Sequence, residues 1–271
     1  MITKEANAVV VQRIELAPGL IKLRVVPDGW ELPDFKAGQY SLLGLPGSAP
    51  RHPSSDPEEE PSNPDKLILR AYSVASSSMA KEYLEFYIAM VRSGVLTPRL
   101  LNLKIGDKLW LSTHFSGMFT LSDVSYEYNV VLIATGTGVA PYMSMIRTEA
   151  EKGLRRRFAV IHGARHSWDL GYHAQLTTLD KLSNNFFYLP IISDPEDEPV
   201  PWKGEVGFVQ KLWTEGGLDK VWGFHPTPKE THVFLCGNPH MIDDMTKLLE
   251  KEGFREQTKD APGNIHLERY D

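Results

Sequence analysis

Two hydrophobic rhythms divide this chain. Up to about residue 112 the apolar residues come in short, β-rich runs at 8–14, 20–26, 39–43, 67–72, 83–90 and 108–112. Turn residues such as Ala17-Pro18-Gly19 separate them, and regular short strands punctuated by Gly and Pro predict an antiparallel barrel or sandwich. The stretch 97–103 breaks the rhythm: a Thr97 hydroxyl as cap, Pro98 at the first helical position and apolar residues behind them predict a short helix.

Near Ser122 the style changes. Residues 129–134 form a continuous apolar run of the kind buried on both faces of a parallel sheet, followed by a glycine turn and by 142–150 at helical spacing. Runs at 158–162, 186–192 and 232–236 repeat the strand signal with helical patterns between them, which predicts a parallel sheet covered by helices. With 271 residues there is room for two domains: an antiparallel β-barrel over 1–123 and an α/β parallel-sheet domain over 124–271. Within the first, 46–66 carries six prolines and the run Asp56-Pro57-Glu58-Glu59-Glu60, too little apolar surface to order itself, so a mobile loop is expected there.

Composition narrows the function classes. Hydrophobic content of 42% and charged content of 24% are globular values. A formal net charge of -6 supplies no overall positive field, which argues against nucleic acid as the partner while leaving room for a local basic patch facing an acidic protein. Cys236 is the only cysteine, so an intramolecular disulfide, a four-cysteine zinc site and a cysteine-ligated iron–sulfur cluster within one chain are excluded. The first five residues lack a basic n-region and an apolar h-region, and no apolar run is long enough for a membrane span, so the expected location is cytoplasmic. The nine histidines show no metal-ligand spacing, and Gly-x-Ser-x-Gly is missing.

Two motifs carry chemistry. Arg70-Ala71-Tyr72-Ser73 ends a predicted strand, where an Arg can fork onto a pyrophosphate, Tyr72 offers a face to a flat ring and Ser73 can donate a hydrogen bond. Arg and Tyr on an edge strand are also ordinary surface residues. About sixty residues later, Thr135-Gly136-Thr137-Gly138-Val139-Ala140-Pro141 lets a backbone approach a ligand closely and opens a helix whose N-terminus favours phosphate. It is neither Gly-x-Gly-x-x-Gly nor a P-loop.

In order and spacing these elements resemble the ferredoxin–NADP+ reductase superfamily, in particular the bacterial ferredoxin/flavodoxin reductases, over almost the whole chain. Arg70-Ala71-Tyr72-Ser73-Val74-Ala75-Ser76 is similar to the family's Arg-x-Tyr-Ser-x-x-Ser. The resemblance implies that 1–123 binds FAD and 124–271 binds NAD(H) or NADP(H). It implies that Arg70 and Ala71 meet the FAD pyrophosphate, that Tyr72 stacks on the flavin, and that Ser73 sits where hydride arrives. Tyr87, Ile88 and Ala89 would add FAD contacts, and the backbone of Val95, Leu96 and Thr97, in Gly94-Val95-Leu96-Thr97-Pro98-Arg99-Leu100, would cradle phosphate. Gly136, Thr137, Gly138, Ala164 and Arg165 would hold the nicotinamide nucleotide. Cys236-Gly237-Asn238-Pro239-His240-Met241 resembles the family's Cys-Gly-x-Pro-x-Met, with Cys236 orienting the nicotinamide sterically and Gly237, Asn238 and Met241 beside it. Glu268 matches an acid that positions nicotinamide or relays protons, and Tyr270 is an aromatic cover for flavin or adenine; relatives commonly end in Tyr-Trp or Ala-Phe-Val tails, which this chain lacks.

The pattern breaks where NADP(H)-specific relatives meet the 2′-phosphate. A Ser/Thr-Arg pair and a Gly-Arg pair are replaced by Ser193-Asp194 and Gly204-Glu205. A carboxylate repels a 2′-phosphate and accepts from a free ribose hydroxyl, so NADH is predicted to be favoured. The alternative is a shifted loop in which Lys203 or His166 serves the phosphate. The combined expectation is a flavoprotein oxidoreductase passing hydride between NAD(P)H and FAD and single electrons between FAD and a ferredoxin or flavodoxin. Two readings stay open: the reductase component of an oxygenase or larger electron-transfer complex, and a non-catalytic nucleotide-binding scaffold subunit.

Overall fold

The computed structural model describes residues 5–269. They divide into two compact units, one running to Thr120 and including Met143–Thr148, the other holding Leu121–Tyr142 and the chain from Glu149 onward. Tyr270 lies outside the described residues.

The first unit contains strands β1 (Ala8–Ala17), β2 (Leu20–Pro27), β3 (Tyr40–Pro46), β4 (Leu67–Ser73) and β5 (Leu84–Ala89), helix α1 (Thr97–Leu101), and strand β6 (Lys108–Leu111). The strands pair antiparallel in the order β4-β3-β6-β1-β2-β5. An antiparallel bridge between Val74 and Phe86 fastens the end of β4 to β5, so the sheet curls back on itself as the expected barrel. Alternation explains the closure. Ile21, Leu23 and Val25 on β2 and Leu84, Phe86 and Ile88 on β5 all face one core at spacing two. Gly19 turns β1 into β2 at φ +80°, a conformation the missing Cβ permits.

Two expectations change here. Thr97 is not a cap; Leu96 takes that position, and the Thr97 hydroxyl instead accepts from Val91 N–H (3.0 Å) and lies 3.2 Å from the Val91 carbonyl, locking the preceding turn. The helix also stops at Leu101. The 46–66 segment, expected to be a mobile loop, is a run of turns tied to its neighbours: Gly47 N–H to Lys66 O (3.0 Å), His52 N–H to Pro98 O (2.9 Å) and Asp56 N–H to Arg92 O (3.0 Å). Polar ties set its course where apolar burial is too small to do so.

The second unit is built on β7 (Asn129–Thr135), the two ends of α2 (Ala140–Glu151, whose middle is counted with the first unit), β8 (Phe158–Ala164), α3 (His173–Leu182), β9 (Phe186–Ile192), β10 (Glu205–Val206), α4 (Val209–Thr214), α5 (Gly217–Trp222), β11 (Thr231–Gly237), α6 (Pro239–Lys251) and β12 (Ile265–Arg269). Its sheet is parallel throughout, in the order β10-β9-β8-β7-β11-β12. Val131, Ile133, Ala159, Ile161, Val233 and Leu235 fill the core beneath α4 and α6, the reason these runs read as continuously apolar. The chain steps outward from β7 through β8, β9 and β10, then returns to place β11 on the other side of β7. The carboxyl ends of β7 and β11 therefore flank a topological switch point, where open α/β sheets bind ligands. Among the described residues no helix is long and apolar enough to cross a membrane.

Candidate functional site

In the first unit, β4 has only β3 as a ladder partner along Arg70 to Tyr72, so one row of its backbone groups is left over by the sheet. Arg70 is exposed; its guanidinium donates to the carbonyl of its own neighbour Leu69 (2.8 Å), and no carboxylate among the described residues pairs with it. A solvated, uncommitted guanidinium on an edge strand fits a pyrophosphate. Tyr72 packs its ring on the barrel core, and burial pushes its phenol well above the usual range, so the hydroxyl stays neutral. Ser73 is buried. Its position follows from what comes next: Ser76 Oγ accepts from Glu85 N–H (3.1 Å) and Ala75 N–H donates to Glu85 O (2.8 Å), clamping the end of β4 to β5. That assigns a structural role to the last serine of the motif.

The remaining flavin candidates separate. Ile88 and Tyr87 are buried, Ile88 in the barrel core, so the side chain of Ile88 serves packing; Ala89 is exposed. Around α1 the carbonyls are taken: Gly94 O accepts from Arg51 Nη1 (2.9 Å) and Val95 O from Arg99 Nη1 (2.6 Å). The N–H groups of Val95, Leu96 and Thr97 have no partner among the described residues, leaving three successive donors.

In the second unit, the turns after β7 and β11 are seated on each other. A Cβ on Gly138 would run into the Cys236 carbonyl, with the Cys236 carbonyl carbon at 2.6 Å and Gly237 Cα at 2.8 Å. Gly237, at φ +129°, is packed equally closely on Thr135, and Asn238 N–H donates to Thr135 Oγ1 (2.8 Å). Two glycines at these positions are therefore a packing requirement as well as an invitation to a ligand. Gly136 opens the 3-10 turn Gly136–Val139 at φ +54° with empty space where a Cβ would stand, and Thr137 follows it half-buried. The Asn238 side chain caps α6 by accepting from His240 N–H (2.8 Å).

Two residues that sequence reasoning passed over support this constellation. His162 is fully buried, and burial lowers its pKa to about 4, so the ring is neutral and Nε2–H donates to Gly136 O (3.0 Å). The Tyr142 hydroxyl lies 2.8 Å from the Phe234 carbonyl and 3.0 Å from that of Ile133, bridging β11 and β7 just beneath the turns. The only sequence signal for His162 was its place in His162-Gly163-Ala164-Arg165. Met241, expected beside the nucleotide, belongs to the hydrophobic core cluster with Ile242, Met245 and Leu249 at the start of α6.

Cys236 and Glu268 stand opposite each other in the β11–β12 register, and the fully buried thiol donates to Glu268 Oε2 at 3.9 Å. Burial suits a steric role better than a nucleophilic one. At the ends of β8 and β9, Ser193 N–H donates to Ala164 O and Asp194 N–H to Arg165 O, each 3.0 Å, so the two segments run side by side. Arg165 is exposed and unpaired among the described residues. Glu205 is exposed on β10 and held at 3.4 Å by Lys211.

The acidic loop after β9 does more than its composition suggests. Glu198 accepts from both the N–H and the hydroxyl of Ser167, each at 2.6 Å. His166 is stacked on Trp168 and bracketed by Asp169 (3.1 Å) and Asp197 (3.4 Å); burial alone would lower its pKa, but the two carboxylates raise it. His166 is thus committed to carboxylates, and Ser167 to Glu198, leaving Arg165 as the uncommitted cation beside Ala164. Glu198, Asp197 and Ser167 were not legible as site residues, because their partners lie some thirty positions apart.

A family model described as the oxidoreductase NAD-binding domain matches residues 132–247, the stretch from β7 to α6. The chain is 30% identical, over 87% of its length and 88% of the relative's, to the flavodoxin/ferredoxin–NADP reductase of Buchnera aphidicola subsp. Baizongia pistaciae. It is 29% identical to the Escherichia coli protein of that name, over 78% of this chain and 77% of that one. A solved ferredoxin NADP+ reductase from Neisseria gonorrhoeae, with FAD and NADP bound, shares the fold at a TM-score of 0.80 and 22% identity, covering 98% of this chain and 99% of that one. With 30% identity over most of both chains, the chain belongs to the flavodoxin/ferredoxin–NADP reductase family.

Proposed function

We propose that this protein is an FAD-dependent oxidoreductase in which hydride passes between a nicotinamide nucleotide and the flavin, and single electrons pass between the flavin and a ferredoxin or flavodoxin. Bound FAD supplies the exchange between two-electron and one-electron chemistry. The chain's own residues bind and orient. In the unit built on β1–β6, Arg70 faces the pyrophosphate, the Tyr72 ring offers a flat, core-anchored surface, and Ser73 supplies a hydroxyl held in place by the β4–β5 clamp. In the other unit, the seated turns at 135–139 and 236–238 receive the nucleotide's phosphates and nicotinamide end, with Cys236 as a steric stop and Glu268 behind it.

The observation that carries this reading is the packing of Gly138 against the Cys236-Gly237 backbone at the switch point of the sheet. For the choice of nucleotide, the acidic loop carries it. Asp194, Asp197 and Glu198 surround the segment Ala164-Arg165-His166-Ser167, an arrangement that repels a 2′-phosphate and favours NADH. The test is reduction of a ferredoxin or flavodoxin by the FAD-loaded protein under argon, with NADH and NADPH in parallel. Carrier reduction with a higher kcat/KM for NADH is expected. Failure to reduce any carrier with either nucleotide contradicts the electron-transfer reading, and preference for NADPH contradicts the acidic-loop argument alone.

A further inference from the structure

The 46–66 excursion grips the connection between β5 and α1. Arg51 donates from Nη1 to Gly94 O (2.9 Å) and from Nη2 to Asp56 O (2.7 Å) and Arg92 O (3.2 Å). Arg99, on α1, donates from Nη1 to Val95 O (2.6 Å) and from Nη2 to Gly47 O (2.8 Å). Glu58 joins the two guanidiniums. Its carboxylate takes Arg99 in a two-pronged pair (2.7 and 3.2 Å) and Arg51 at 3.2 Å, and it also accepts from the N–H and hydroxyl of Ser62. The Arg99, Glu58 and Arg51 side chains are 3%, 14% and 16% exposed, so this is not a solvent-screened surface pair.

Peptide planarity gives this network a purpose. The Gly94 carbonyl and the Val95 N–H belong to one rigid plane, and the Val95 carbonyl and the Leu96 N–H to the next. Holding the first carbonyl with Arg51 and the second with Arg99 therefore aims two of the three successive donors at the start of α1. The third, Thr97 N–H, is set by the Leu96 carbonyl, which accepts from Arg99 N–H and Leu100 N–H (3.0 Å each). Two guanidiniums converging on adjacent carbonyls repel each other unless a carboxylate sits between them, and Glu58 is that carboxylate. The pairing with Arg99 holds the Glu58 carboxyl at a pKa of about 2, so it stays charged.

We infer that the 46–66 excursion is a strap that fixes the donors of Val95, Leu96 and Thr97 for the FAD pyrophosphate, with Glu58 as its positioning residue. This rests on the flavin reading proposed above. Glu58 touches no reacting atom; it acts through Arg51 and Arg99. The strap is pinned independently of Glu58, at its middle by Asp56–Arg92 (3.1 Å) and at its ends by the Gly47 and Ser48 N–H bonds to Lys66 and Pro64 carbonyls. Loss of Glu58 therefore releases the aim of the donors before it releases the loop.

The test uses the FAD-loaded full chain. Glu58→Gln keeps the side-chain shape and removes the charge; Arg51→Ala frees the Gly94 carbonyl while leaving the Arg99–Glu58 pair in place. FAD release is followed by the rise in flavin fluorescence on dilution, with thermal midpoint of the apo-protein and ADP-ribose affinity as parallel readouts. Both variants are expected to release FAD faster, about 10-fold for Glu58→Gln, while ADP-ribose affinity stays near wild type; the apo-protein midpoint falls in Glu58→Gln, which leaves two guanidiniums without their carboxylate, and less in Arg51→Ala, which keeps the Arg99–Glu58 pair. FAD release at the wild-type rate in both variants overturns the strap. Faster release accompanied by an equal loss of ADP-ribose binding also overturns it, as does faster release in Glu58→Gln with the wild-type rate in Arg51→Ala, because either is general destabilisation. A wild-type protein that does not hold FAD contradicts the flavin reading itself and is separately visible.

Discussion

Gly138→Ala is the sharpest probe of the nucleotide site. The added Cβ meets the Cys236 carbonyl group and Gly237 Cα, all backbone atoms of the neighbouring strand end, and none of these can swing aside as a side-chain tip would. The 135–139 turn must therefore lift away from β11. Overpacking of this kind costs about 1–3 kcal/mol, and the lift endangers the Asn238 N–H bond to Thr135 Oγ1, worth about 1 kcal/mol more. Gly223→Ala is the control. It also loses stability, about 1–2 kcal/mol, because Gly223 sits at φ +79°, but its surroundings are empty and it caps α5 away from the turns. The assay is calorimetric melting together with equilibrium titration by ADP-ribose and NADH. Both variants melt earlier; only Gly138→Ala loses nucleotide affinity, by about 10-fold or more for a turn displaced by roughly 1 Å. Wild-type nucleotide affinity in Gly138→Ala would refute the claim that the two seated turns form the binding surface.

Other outcomes follow from the same geometry. Asp194→Arg combined with Glu205→Arg raises the NADPH/NADH ratio of kcat/KM, and Glu198→Gln raises affinity for 2′,5′-ADP relative to ADP by freeing the Ser167 donors; an unchanged ratio in both experiments sinks the acidic-loop argument. His162 is buried and His266 half-buried, and desolvation lowers their pKa values to about 4 and about 3, so their contribution to stability is present above the unfolded value of about 6.5 and is lost as pH falls through the folded values. Denaturant titrations of wild type and His266→Phe between pH 7 and 4 check this: the variant loses less stability on acidification. His225 behaves oppositely. Burial pulls its pKa down, but Asp219 (2.9 Å) and Glu252 (3.2 Å) lift it above its ordinary value, so its contribution is full below about pH 6.5 and disappears as pH rises through the folded value. His225→Gln should flatten that part of the pH–stability curve, by under about 1 kcal/mol because the pair is exposed.

Much of the fold was legible because burial imposes periodicity locally. Ile21, Leu23 and Val25 alternate, and 129–135 is apolar throughout, each a direct imprint of one-faced or two-faced burial. The glycine motifs were legible because close backbone approach leaves no room for another residue, as at Gly138 and Gly237. What escaped depends on partners distant in sequence. Glu58 is one of three consecutive glutamates and nothing local marks it; Arg99, forty-one positions away, makes it a strut. Glu198 is likewise anonymous until Ser167 meets it. Thr97 illustrates a local ambiguity: a hydroxyl before proline suits the cap and the first helical residue equally, and the Val91 backbone decided between them. Met241 sits in a site-like motif, yet the apolar face of α6 claims it for the core.

The central claim is that one chain holds a flavin and reduces it with a nicotinamide nucleotide, preferring NADH. Anaerobic absorbance titration of the FAD-loaded protein with NADH and NADPH in parallel tests this most directly. The account predicts bleaching of the flavin band near roughly 450 nm at lower concentration and higher rate with NADH. A flavin that neither nucleotide bleaches would contradict it.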